Sequence, residues 1–435
     1  MRRIISLFTV LVVWAITAGA QDFKSDLQGN LDRTGGCFHS YEAAPGPDTP
    51  APAGFKPYYI SHYGRHGSRR QIGGGGTEAY NYFRRASEAG VLTEEGKALY
   101  GDLETLYKEH VGMDGQLTIR GGLEHQGIAK RMFTRFKPVF KGKRAVHCQS
   151  SDIQRCIISM ANFTTSLKGC APKLEFDFIT GKKYFDLLCH GYYQMDQYGA
   201  RKAFLKDSLI HALFDPTRIM SAFFTDSPKV NEIVKDPWRL GRYLYFILAD
   251  CQDLTYETGG LDLYKYFTED ELIALAKHSN EHLYWDMGNS ADFGDNVIWA
   301  EKWLVEDFIG RADRALAEAN VAADLRFGHD SAVLPLAALI GLEGVSGRFK
   351  AGEAWKNGYY LWENLCMGSN LQMVFYKNKK GQVLVKMLYN EVERRISQCF
   401  IPGVQIPAPV TGPYYRWEDL RAYLVAISAD KTFGK

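Results

Sequence analysis

Apolar positions along this chain fall in two rhythms: short β-prone runs, and longer stretches in which they recur with helical spacing. Pro57 opens the first clear run, Tyr58-Tyr59-Ile60-Ser61, whose residue types favour a strand. A second, Ala145-Val146, follows a basic stretch from Lys141 to Arg144, and Ile153 to Leu167 then reads as a helix with N-cap candidates at Ser150, Ser151 and Asp152. A third short strand candidate, around Asp324 to Phe327, runs into a helix start at Ala332 to Leu336. Near the end, Leu371 to Tyr376 and Val383 to Tyr389 flank Lys377-Asn378-Lys379-Lys380-Gly381 and read as a hairpin. Between these α/β blocks, residues 168 to 315 are richer in helical periodicity, as in Asp270 to His278 and Ile298 to Glu318. Residues 21 to 56 hold no long periodic segment, and Pro45, Pro47, Pro50 and Pro52 mark an extended lead-in. The pattern predicts an α/β fold: a three-layer sandwich core from residues 21–167 and 316–435, with a mostly helical inserted domain at 168–315.

The chemistry-bearing residues sit at the junctions of this pattern. Arg65-His66-Gly67-Ser68-Arg69 closes the first run, so an imidazole stands between two guanidiniums at the expected carboxyl end of a strand, where open α/β sheets bind ligands. A guanidinium offers phosphate a planar fork of donors, and a neutral imidazole beside a held phosphate can attack phosphorus. Gly67 permits a sharp turn and close approach of a ligand. Arg155 falls in the first turn of the second-block helix, where free N–H groups already favour an anion. His329-Asp330 repeats the strand-to-helix arrangement with an imidazole and a carboxyl side by side.

With these residues in place, the chain resembles the histidine acid phosphatase family of the histidine phosphatase superfamily, in particular its phytase and multiple inositol polyphosphate phosphatase-like branch. Arg65, His66 and Arg69 match the Arg-His-Gly-x-Arg signature, Arg155 the second-segment arginine and His329-Asp330 the His-Asp pair. Leu117-Thr118-Ile119-Arg120-Gly121, Ser159, Phe163 and Leu384 to Glu391 add similarity in the family's order, weakest from about 170 to 315. Arg70-Gln71 stand where a proline often follows the signature, and His329-Asp330-Ser331 replaces the His-Ala-Glu common among the inositol-polyphosphate phosphatases.

The resemblance implies a covalent route through a phosphohistidine on His66. Arg65, Arg69, Arg155 and His329 would bind the phosphoryl oxygens, and Asp330 would protonate the leaving alcohol, with no cofactor and no metal. The expected substrate is an inositol polyphosphate. The alternatives are a broad-specificity acid phosphatase on sugar phosphates, a mutase-type relative, and a non-catalytic phosphate-binding protein. Intact His66 and Asp330 speak against the last, because a pure binder needs neither a nucleophile nor a proton donor. Extra cationic contacts for a polyanion are expected from Arg84-Arg85, Lys182-Lys183 or Arg201-Lys202.

Composition refines the picture. Arg2-Arg3, the apolar run Ile4 to Ile16 and Ala18-Gly19-Ala20 read as a signal peptide over residues 1–20, so an exported, periplasmic or secreted protein is expected, free of the membrane after cleavage. Export also speaks against the mutase reading, whose substrates are cytoplasmic. The chain carries 52 basic and 50 acidic residues, and loss of Arg2 and Arg3 makes the two equal. A near-neutral chain is not built for nucleic acid or membrane surfaces, so any anion site is local. Eight cysteines in an exported chain predict disulfides. Cys366 and Cys399, flanking the hairpin at comparable distances from its turn, are the expected pair. The Gly73 to Gly76 run lacks the Lys-Ser or Lys-Thr of a P-loop and reads as a loop beside the site. His278-x-x-x-His282 has helical ligand spacing but no third ligand in sequence, so no metal is expected there.

Overall fold

The computed structural model describes residues 23–43, 46, 48–190, 198–318 and 320–429, and the expected signal peptide lies outside them. Eight strands form one sheet: β1 Lys56–Arg65, β2 Ala145–Ser150, β3 Glu175–Thr180, β4 Val321–Gly328, β5 Asn370–Lys377, β6 Val383–Tyr389, β7 Val392–Arg394 and β8 Tyr414–Arg416. Their order is β3-β2-β4-β1-β5-β6-β7, with β8 also on β6. β1, β2, β3 and β4 run parallel, whereas β5 joins β1 antiparallel and begins the hairpin side. All eight residues of β4 are buried, which is why its apolar run shows no alternation.

Helices cover both faces. On one, Ile60, Val146, Leu325 and Val374 pack with helices α3 (Ile119–Arg135) and α4 (Gln154–Cys170) through Ile128, Met132, Phe163 and Leu167. On the other, Tyr59, Met373, Phe375 and Val385 pack with α10 (Lys302–Glu318), α11 (Asp330–Ile340) and α12 (Trp417–Ala429). This is the three-layer α/β arrangement. A separate apolar cluster joins α1 (Gly75–Glu88), α2 (Glu94–His110), α5 (Gly199–Leu213), α6 (Thr217–Phe223), α7 (Pro237–Cys251) and α8 (Glu269–Met287) into a helical cap.

The packing redraws two expectations. Residues 168–315 supply β3 to the sheet edge and α10 to the sandwich, while α1 and α2, upstream of that segment, pack into the cap. The helix expected from Ile298 to Glu318 is broken between α9 (Gly294–Trp299) and α10. A segment boundary follows chain order, but a core is assembled by whichever apolar faces meet.

The Cys366–Cys399 pairing is corrected as well: all eight cysteines are free thiols. The Cys366 thiol lies 3.4 Å from the Ser369 hydroxyl and that of Cys399 3.8 Å from the Ile401 carbonyl oxygen. Equal distance from the hairpin turn would bring them together only if the strand after β6 stayed opposite β5. Instead β7 folds back along the outer edge of β6 and carries the following chain away.

Candidate active site

The register of the parallel strands builds the site. β1 and β4 pair so that Arg65 lies opposite Gly328, and β2 and β4 pair so that Ser150 lies opposite Phe327. The three carboxyl ends therefore finish level, and the residues that follow, His66, Ser151 and His329, come together. Backbone bonds lock the first of them: the His66 N–H donates to the Gly328 carbonyl at 2.9 Å, and the Gly368 N–H donates to the His66 carbonyl at 3.0 Å. A Cβ on Gly67 would come within 2.4 Å of the Gly121 carbonyl oxygen, so only glycine admits α3 this close to the loop.

His66 is buried, and its Nδ1 lies 2.9 Å from the Gly67 carbonyl oxygen. A carbonyl only accepts, so Nδ1 carries the proton and Nε2 keeps its lone pair. Burial, then the charges of Arg155, Arg65 and Arg69, hold His66 well below the usual histidine range.

The arginines are anchored yet keep free donors. Arg65, 0% exposed, gives Nη1 to the Cys37 and Leu365 carbonyls at 2.6 and 2.7 Å and Nη2 to Asp330 at 2.8 Å. Arg69 reaches only the Arg70 carbonyl, at 2.9 Å, and lies over the Phe38 ring. Burial and the neighbouring Arg155 and Arg65 lower its pKa to about 10. Arg155, in the first turn of α4, approaches His329 Nδ1 at 3.3 Å. In all three guanidiniums the buried Nε–H has no hydrogen-bond partner among the described residues. What marks the site is that three cations converge on one imidazole, as an incoming anion requires.

His329 and Asp330 complete the group. The His329 ring stands edge-on to His66 at 5.6 Å. Because a guanidinium cannot accept, Nδ1 accepts from Arg155 and Nε2 donates to the Ser151 hydroxyl at 3.0 Å. Burial and Arg155 lower His329 to about 3. The Tyr63 hydroxyl holds this turn, accepting the His329 N–H at 2.9 Å. Asp330, its side chain 23% exposed, would be pushed up by burial, but the Arg65 and Arg69 charges outweigh that and hold it at about 2. Asp330 is therefore a carboxylate in the free site.

All six expected site residues, Arg65, His66, Arg69, Arg155, His329 and Asp330, thus meet in one place. Ser150, Ser151 and Asp152 do not cap α4, whose N-cap is Ile153, and the Ser151 hydroxyl is instead bonded to His329. Glu124 was not legible: one carboxylate oxygen accepts the Ser68 hydroxyl and the Tyr41 N–H, the other the Ser68 N–H, at 2.7 to 2.8 Å, pinning the signature loop from α3. Only the nearby Leu117 to Gly121 stretch hinted at a role for that helix. His62 is buried among Phe163 and Phe327 and lowered by burial to about 3, a structural ring. Asp330 stands at the start of α11, whereas the carboxyl of Glu343 is exposed beyond its far end. No cluster of three or more His, Cys, Asp or Glu suited to a metal occurs among the described residues.

Burial also sets a pH dependence of stability. It lowers His62 and His329 to about 3 and His125 to about 4, and holds His66 and His282 well below 6.5. Below about 6.5 the unfolded chain therefore binds more protons than the folded one, and stability falls as pH falls. His110, raised by Asp250 against the effect of burial, opposes this, its contribution being lost as pH rises through its folded value. His278, lowered to about 3, makes six such groups, and they outweigh His110 and the buried carboxyls of Asp253, Glu124 and Glu281, which burial raises. Urea unfolding in phosphate-free buffer is expected to show a lower midpoint at pH 5.0 than at pH 7.5, and equal midpoints would contradict the buried neutral histidines.

No protein-family model matches this chain, and no curated protein does. Solved structures do. The multiple inositol polyphosphate phosphatase of Bifidobacterium longum, in complex with inositol hexasulfate, aligns with a TM-score of 0.76 at 18% identity, covering 92% of this chain and 99% of that one. Its phosphate complex gives 0.74 over the same shares. The phytase from D. castellii gives 0.67 at 16% identity, over 92% and 86%. The chain has the fold of these proteins, in agreement with the resemblance carried by its motifs.

Proposed function

We propose that this protein is an exported phosphomonoesterase that hydrolyses inositol polyphosphates through a phosphohistidine on His66. The observation that carries the reading is the convergence of three guanidiniums, Arg65, Arg69 and Arg155, on a buried, neutral imidazole. Arg65, Arg69 and Arg155 take the non-bridging oxygens, where charge spreads in the transition state. His66 Nε2 forms a bond to phosphorus as the bond to the ester oxygen breaks. Asp330 is ionised before substrate arrives, so the proton it hands to the leaving oxygen enters with the monoanionic ester. Asp330, again a carboxylate, then takes a proton from water as the hydroxide displaces His66 and frees phosphate.

The substrate class rests on charge at the mouth. Arg84 pairs with Glu88 at 2.6 Å, Arg85 stacks on Tyr82, and Arg201 and Lys202 pair with Asp292 and Asp286. Lys182 and Lys183 are exposed, form no salt bridge among the described residues, and lie just before Phe185, whose ring is 6.2 Å from His329. The fold shared with a protein complexed with inositol hexasulfate supports the same class. Released phosphate should be followed with phytate and glucose 1-phosphate, at low and high salt. Phytate efficiency should fall about tenfold or more as salt screens distal contacts, with p-nitrophenyl phosphate changing less than about twofold. Phytate turnover far below that of glucose 1-phosphate at low salt would replace this reading with a general sugar-phosphate phosphatase.

A further inference from the structure

The His278-x-x-x-His282 pair stands beside two cationic side chains, a setting that attracts negative charge. Both imidazoles lie on one face of α8, their rings 5.1 Å apart. Lys206 of α5 and Arg242 of α7 complete the cluster. His278 Nε2 lies 3.1 Å from the Lys206 carbonyl oxygen and donates to it. His282 is 5% exposed, and neither ring nitrogen has a partner among the described residues. The Arg242 Nε–H is likewise buried without one.

Negative charge here is scarce. Neither Lys206 nor Arg242 has a carboxylate within salt-bridge distance among the described residues. Asp286, one turn beyond His282 on α8, lies 3.4 Å from Lys202, and Asp207 on α5 faces His211 at 4.0 Å. Asp236, Arg239 and Tyr243 act on Arg242 from its own end of the cap. Burial and Arg242, against a weaker pull from Asp286, lower Lys206 to about 8. Burial and the two cations lower His278 to about 3 and His282 well below its usual range. Lys206, Arg242 and the one N–H of neutral His282 are donors, and the two cations crowd one another. A tetrahedral anion between them supplies the acceptor and the countercharge they lack.

We infer that Lys206, Arg242 and His282 form a second phosphate-binding site in the cap, separate from the Arg65–Arg69–Arg155 clamp, with His278 holding the Lys206 backbone beside it. Its place suits a ligand shared with the catalytic site. Phe246 follows Arg242 by about one helical turn, its ring packs on Phe38 at 5.8 Å, and Arg69 lies over that same Phe38 ring at 5.8 Å. The site does not depend on the chemistry assigned to His66.

Calorimetric titration of the full chain with inorganic phosphate tests it. Two phosphates per chain are expected, and one for the double variant Lys206→Gln/Arg242→Gln. His282→Leu, which keeps the volume and removes the donor, should weaken the second binding step at least tenfold. One phosphate per wild-type chain overturns the inference whether or not the double variant folds, and so do two bound by a folded double variant. Because no turnover is read, failure here leaves the phosphatase reading standing, and a lack of hydrolysis with two phosphates bound would fault that reading alone. Inositol hexasulfate then separates the sources of the anion. One molecule displacing both phosphates marks the site as a seat for a substrate's distal phosphate, and displacement of one marks it as a site for free phosphate.

Discussion

Replacing His66 by alanine is expected to lower hydrolysis of every phosphomonoester by about 10⁴-fold or more, because it removes the covalent route rather than one contact within it. The geometry makes this the largest effect available. Nδ1–H is engaged by the Gly67 carbonyl, and burial and three arginines favour the neutral ring, so Nε2 presents a lone pair near neutral pH. No second nucleophile competes for the position: the Cys156 thiol is pushed up by burial to about 11 and is directed to the Gly328 carbonyl. The alanine variant should still bind phosphate, since Arg65, Arg69 and Arg155 are anchored independently of the ring. Wild-type protein quenched during turnover should carry an acid-labile, alkali-stable phosphoryl group on His66, read by mass spectrometry. An alanine variant that keeps more than a few per cent of activity removes the phosphohistidine from the mechanism.

Asp330→Asn is expected to cost about 10²- to 10⁴-fold with alkyl phosphates and far less with p-nitrophenyl phosphate, whose leaving group needs little protonation. The contrast between the substrates is the decisive reading, because Asp330 has two possible duties. It lies 2.8 Å from Arg65 Nη2 and so also helps to orient the clamp. Arg65 is nevertheless held by two carbonyls through Nη1, and its position should survive the substitution. Equal losses on both substrates would assign Asp330 to positioning alone. The carboxyl is at about 2 in the free site, so the proton must come with the ester. The wild-type kcat/KM for an alkyl phosphate should therefore fall as pH rises past about 6, where a phosphate monoester loses its second proton.

What can be read along the chain and what cannot divide by sequence distance. The strand-to-helix junctions were legible because each packs its chemistry into a few consecutive residues: Arg65 to Arg69, Ser150 to Arg155, His329-Asp330. Their local propensities, β-prone runs followed by helical spacing, agree with the fold that tertiary contacts then impose. The cap was harder to delimit, since its apolar cluster draws on residues 79 to 106 as well as 210 to 275. The disulfide expectation failed for a related reason: counting residues from a hairpin turn says nothing about a third strand returning on the outer edge.

By itself the sequence determined the alternation of strands and helices and the placement of the six candidate residues at strand-to-helix junctions, because apolar periodicity and side-chain chemistry are properties of neighbours in the chain. Only the tertiary structure decided the rest. Parallel register brought three strand ends level. Asp330, far along the chain from Arg65, met it and was thereby ionised, while Glu124 closed on Ser68 and Tyr41. His278 and His282 came to lie beside Lys206 and Arg242. Protonation states and unpartnered donors depend on burial and on charges brought near from distant segments, and these exist only once the helices and sheet have packed.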